Sequence, residues 1–108
     1  MKYIDVIPSQ GTVKYADSLN VLGGVANDSP KKVLAGISVW GRVGSAWVQM
    51  MTQNYEIDAG EHKHLYFTIP EKCFTDEYWG EELEEMELVI SDRKPDDSKQ
   101  GILIFVER

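Results

Sequence analysis

Apolar and polar side chains alternate along most of this chain, a period of two that describes strands rather than long amphipathic helices. Residues 18–26 set Leu19, Val21, Gly23 and Val25 on one side and Asn20, Leu22 and Gly24 on the other. The run closes at Asn27-Asp28-Ser29-Pro30, where three side chains that bond their own backbone precede a fixed φ. Residues 33–40 place Val33, Ala35, Ile37 and Val39 against Leu34, Ser38 and Trp40, before Gly41-Arg42-Val43-Gly44 breaks the strand. Residues 47–51 and 55–57 read as one interrupted segment, followed by a second turn at Asp58-Ala59-Gly60-Glu61. Residues 62–69 then alternate with Leu65, Phe67 and Ile69 inward, until Pro70 stops them. Residues 84–90 and 101–106 supply two more strands, with Met86, Leu88 and Ile90 inward in one and Ile102, Ile104 and Val106 in the other. A polar loop around Pro95, residues 92–100, joins them, and residues 71–80 read as an irregular crossover with one helical turn.

With residues 4–7 counted as a first edge strand, the pattern predicts an all-β fold, a single antiparallel two-sheet Ig-like β-sandwich of about seven strands in one domain, residues 1–108. The competing helix, residues 75–86, is disfavoured by Gly80 and by five acids between Glu81 and Glu87. At 108 residues and 43% hydrophobic composition the chain has material for one core and no more. Cys73 stands alone, so the domain is held by packing and not by an intrachain disulfide.

The resemblance to known sandwiches rests on two short stretches. Val25-Ala26-Asn27 ends one strand, and Ala59-Gly60-Glu61 leads into Leu65-Tyr66-Phe67-Thr68-Ile69-Pro70. On these, residues 4–106 resemble immunoglobulin-like and fibronectin-type-III-like sandwiches, especially the bacterial cell-adhesion-related (CARDB-like) domains. The resemblance implies a non-catalytic spacer, adhesion or virion surface module and carries over no functional residues. The paired cysteines of antibody-type domains are missing, and Trp40 is the one candidate for their core tryptophan.

Charge narrows the partners. Eleven basic against eighteen acidic side chains give a net −7, and no concentrated basic face exists for nucleic acid. No stretch approaches the roughly 18 apolar residues of a membrane-spanning helix, so membrane insertion is not expected. Asp5 interrupts the start before an apolar run builds up, so no signal peptide is expected. The expected setting is therefore the cytoplasm or a virion if Met1 is the native start, and the cell surface if the chain is an excised domain.

His62 and His64 emerge from the same face of their strand, opposite Leu65 and Phe67, and two imidazoles at this spacing can grip a metal only if further ligands arrive from elsewhere. Solvated face residues are the simpler expectation, and no metal or other cofactor is assigned. Asp92, Asp96, Asp97 and Ser98 offer hard oxygens in one loop, but Lys94, Pro95 and Lys99 make it read as a solvated turn. The aromatics admit two accounts. Trp47 fills the core while Tyr78 and Trp79 cap an open end, or Trp40 and Tyr66, both opposite the inward residues, form an exposed contact patch. No nucleophile elbow and no phosphate-cradling loop is present, and Cys73 reads as a small packed residue.

The expected role is a non-enzymatic module for protein contact or self-association: a phage virion decoration or assembly protein, or an adhesion or spacer module of a larger surface protein. Trp40, Tyr66, His62 and His64 are the candidate contact residues, and residues 4–7 or 101–106 are candidate edges for strand addition. The alternative is a carbohydrate-binding module that stacks a glycan on a Trp40 and Tyr66 face.

Overall fold

The computed structural model describes residues 2–5 and 11–108. Eight strands follow in order: β1 (Lys2–Asp5), β2 (Thr12–Lys14), β3 (Leu19–Ala26), β4 (Val33–Val43), β5 (Ala46–Ile57), β6 (His62–Ile69), β7 (Glu85–Ser91) and β8 (Ile102–Glu107). A 3₁₀ turn at Glu71–Phe74 and a one-turn helix, α1 (Asp76–Trp79), occupy the crossover between β6 and β7. Thr75 caps α1 by accepting from the Tyr78 amide, and Gly80 ends it with φ 72°, a left-handed conformation that favours glycine.

Two sheets form, one in the order β1-β3-β6 and the other in the order β2-β8-β7-β4-β5. Every neighbouring pair is antiparallel except β2 and β8, which run parallel. In immunoglobulin lettering the sheets read A-B-E and A′-G-F-C-C′. The expected all-β sandwich is therefore the observed one, with an eighth strand and one parallel pair that the alternation did not announce. β2 is three residues long, too short for a period-two signal.

The core lies between the sheets. Ile37, Val39 and Ile57 of the five-stranded sheet face Leu65, Phe67 and Ile69 of β6, all with no exposed surface. Each such side chain removed from water contributes on the order of 1.5–3 kcal/mol. Phe74 and Leu83 close one end, and Tyr55 meets Phe67 edge-on at 6.0 Å between ring centres. Trp79, expected as an end cap, packs half-buried on the core and donates its indole N–H to the Cys73 carbonyl at 2.8 Å.

Several expectations are corrected. β4 does not break at Gly41 but runs on to Val43, and the turn follows at Gly44, with φ 83°. Within the strand Gly41 lets the Met50 side chain pack closely, since a Cβ there would stand 2.2 Å from the Met50 sulfur and 3.1 Å from the Trp79 ring. The interrupted segment is one continuous β5, and its irregularity is a bulge: Val39 pairs with Met51 but Trp40 pairs with Gln49. Of the expected first strand, residues 4–5 lie in β1, while residues 6–7 lie outside the described residues. β8 is flanked by β2 and β7, so the C-terminal strand is no free edge for strand addition.

The two stretches that carry the family resemblance meet in space. The Asn27 amide donates to the Glu61 carbonyl at 2.9 Å, and the Gly60 amide to the Asn27 carbonyl at 2.8 Å. The side chain of Asn27, 1% exposed, directs Nδ2 at the carbonyls of Lys31, Ile57 and Asp58, at 2.8–3.1 Å, and accepts from the Ser29 amide and hydroxyl. One buried amide thereby ties the turn after β3 to the turn between β5 and β6, satisfying polar groups that burial would otherwise orphan.

Candidate functional site

On the three-stranded sheet, alternation sends Val21, Val25, Leu65, Phe67 and Ile69 inward and leaves the opposite positions to solvent. Register sets Leu22 against Tyr66, Gly24 against His64, Ala26 against His62 and Asn20 against Thr68. Tyr66 is 65% exposed and Leu22 38%, an aromatic and an aliphatic side chain adjacent in open solvent. His62 and His64 continue the row, and Gly24 leaves a shallow depression of about 100 Å³ beside them. Thr68 donates to the Asn20 side chain at 2.9 Å and closes the far end of the patch. None of these outward positions on β3 and β6 carries an acid, in a chain with eighteen.

Three of the four candidate residues, His62, His64 and Tyr66, thus share one face. Trp40 does not. It lies on the outer face of the five-stranded sheet, half-buried, with its indole N–H 3.4 Å from the Ser91 carbonyl. A single Trp40 and Tyr66 platform is therefore not formed, and Trp40 is not a core tryptophan. Among the described residues no group of three or more His, Cys, Asp or Glu side chains is placed to hold a metal ion. Cys73 is fully buried and cannot reach the histidines; burial pushes its thiol pKa up.

Part of the other outer face is covered by its own chain, while Leu34, Leu103 and Phe105 stand exposed elsewhere on that face. Trp47, 4% exposed, sits outside the main core and not in it, under residues 92–100. Its indole donates to the Asp96 carbonyl at 3.1 Å, and the Arg42 guanidinium lies 4.5 Å from its ring centre. Arg42 pairs with Glu87, Nε to Oε2 at 2.9 Å, and donates to the carbonyls of Asp97 and Lys99. The acidic loop is not arranged around an ion: the Asp96 carboxylate accepts from the Ser98 amide and hydroxyl at 2.8 Å, which holds its pKa below the ordinary value. Sequence reasoning missed Arg42. The available signal was a lone cation two residues past Trp40, facing the acidic run across the sheet.

A depression of about 210 Å³ lies near this face, lined by Arg42, Gly44, Glu85, Glu87 and Leu103. Of its two carboxylates Glu87 is already bound to Arg42. No pair of uncommitted acids faces across it, and the arrangement suits packing more than acid–base chemistry.

This geometry defines a β-sandwich with one open outer face and a second that its own chain covers around Trp47. No family model and no curated protein sequence matches the chain. Solved structures do. A β-glucosidase from Listeria innocua in complex with isofagomine aligns with TM-score 0.77 and 14% identity over 99% of this chain and 16% of that one. A β-glucosidase from Erythrobacter marinus aligns with TM-score 0.74 and 16% identity, over 97% of this chain and 15% of that one. A β-glucosidase involved in saponin metabolism from intestinal bacteria gives 0.67 and 18%, over 97% and 15%. At these identities the likeness is one of fold alone. The chain spans about one sixth of the length of the enzymes it matches.

Proposed function

We propose that this chain is a non-catalytic Ig-like interaction module that docks a protein partner through the outer face of its three-stranded sheet. The observation that carries the reading is the contiguous exposed row of Leu22, Tyr66, His64 and His62, free of acids in an acidic protein. Exposed Tyr beside an aliphatic side chain is the composition from which protein interfaces draw their strongest contacts. The fit of the whole chain to about one sixth of much longer proteins agrees with a module that works beside other domains or in an assembly. Adhesion, spacer and virion-decoration roles all belong to this reading. So does the resemblance to immunoglobulin-like and CARDB-like domains.

The test uses Leu22→Ser with Tyr66→Ala. Immobilised wild-type protein should retain a discrete protein from its own host, and the double variant should lose it at least tenfold while keeping the wild-type circular dichroism. Equal retention by both contradicts the reading. A glycan array run in parallel addresses the carbohydrate alternative, now reduced to Tyr66 without Trp40; glycan binding abolished by Tyr66→Ala would favour that alternative.

A further inference from the structure

The long open edge of the sandwich is β5. In the five-stranded sheet β5 is terminal, and among the described residues no strand pairs with its outer side. An edge presents alternating N–H and C=O groups that only another extended backbone satisfies in full. Natural edges are usually shielded by Lys, Pro, inward charges or short length. β5 has 12 residues, and from Val43 to Tyr55 there is no charged residue and no proline. A bulge at Met50 interrupts it, and near its end the Lys63 ammonium donates to the Glu56 carbonyl at 3.2 Å, which leaves Met51–Tyr55 as a regular run between them. The other long edge, β6, is partly covered, because the Tyr55 hydroxyl donates to the Tyr66 carbonyl at 3.3 Å.

We propose that β5 pairs antiparallel with β5 of a second copy, joining two five-stranded sheets into one across a two-fold axis near Gln53. A strand opposed to itself in antiparallel sense is self-complementary in its backbone groups. That register sets Thr52 against the Asn54 of the second copy and Met51 against its Tyr55. Each copy carries −7; eight of its eighteen acids lie in residues 81–87 and 92–97, and the loop that holds the latter lies over Trp47, about 20 Å along the strand from Gln53. At the near end Glu56 is neutralised by Lys32 at 2.6 Å. Leu34, 77% exposed and paired with Glu56 in the ladder, is the most exposed large apolar side chain and stands beside the same edge. This surface is separate from the Tyr66 face, so either can fail without the other.

Light scattering across protein concentration tests it, with hydrogen exchange on the same samples. The expected mass rises from 12.3 kDa toward twice that value, more readily at high salt because the two copies repel. Protection of the amides in residues 51–55 rises with it. Asn54→Lys, which sets a cation against the same strand of its twin, should weaken the dimer at least tenfold with unchanged circular dichroism. A mass of 12.3 kDa at every concentration and salt overturns the proposal. So does a dimer untouched by Asn54→Lys, or, should that variant not fold, concentration-dependent protection outside β5 alone.

Discussion

Arg42 shows how one side chain can hold a surface in place. Its guanidinium meets the Glu87 carboxylate, two loop carbonyls and the Trp47 ring, while its side chain is only 13% exposed. Arg42→Ala should cost about 2–3 kcal/mol, the scale of charge-assisted hydrogen bonds left unmade. Arg42→Lys should recover only part of it, because an ammonium cannot fork to a carboxylate and lie over a ring together. The urea midpoint measures the loss, and a red shift of Trp47 emission in the native state marks release of the loop; an unshifted spectrum would show that the loop is held by something else. The same neighbourhood shows where alternation misleads. By period two Trp47 belongs with Met51, Tyr55 and Ile57, which face inward, and so is expected in the core. The extra residue at Met50 reverses the parity, turning Trp47 outward with Gln49 and bringing Met50 in beside Gly41. Gly41 inside a strand was the mark of that bulge, legible as a close approach rather than as a break.

At the scale of elements, the C-terminal strand is pinned to the helical crossover. Arg108 bonds the Asp76 carboxylate at 2.5 Å and the Leu83 carbonyl at 3.1 Å, and lies over the Tyr15 ring. Arg108 and the Leu83 amide hold Asp76 below its ordinary pKa of 3.8. A carboxylate with a folded pKa below its unfolded one stabilises the fold fully above the unfolded value and loses that contribution as pH falls through the folded one. Glu56 and Asp96 are lowered likewise, by Lys32 and by Ser98. The urea midpoint should therefore hold down to about pH 4 and decline below it, with a shallower decline in Asp76→Asn. An unchanged acid limb in that variant would remove Asp76 from the account. At high pH the sign reverses. Burial, with Cys73 beside it, pushes Tyr78 up to about 12, so its contribution is complete below the ordinary tyrosine value of 10.0 and is lost as pH rises through the folded one. Strands β3, β6 and β7 were legible to within a residue because a core residue recurs at every second position, although in β7 Val89 is buried between Leu88 and Ile90 as well. β2 was not, since three residues beside a parallel neighbour carry no pattern of their own.

For the whole molecule, alternation separates inside from outside but does not say which outside. Trp40 and Tyr66 both oppose the inward residues, yet they lie on different sheets, with the full thickness of the sandwich between them. Strand order decides this, and it depends on crossovers that the local pattern does not encode. His62, His64 and Tyr66, two apart on one strand, were secure from sequence alone. Leu22 was visible as an outward residue but could not be placed beside Tyr66 without the register of β3 against β6. The proposed contact face, the proposed self-pairing edge and the surface covered around Trp47 are thus three separate parts of the molecule.

The most direct measurement is a photo-cross-linking comparison in the cells that make the protein, with a benzophenone side chain placed at position 66 or at position 40. The account predicts a discrete protein adduct from position 66 and none from position 40. Adducts of equal yield from both, or one from position 40 alone, would contradict it.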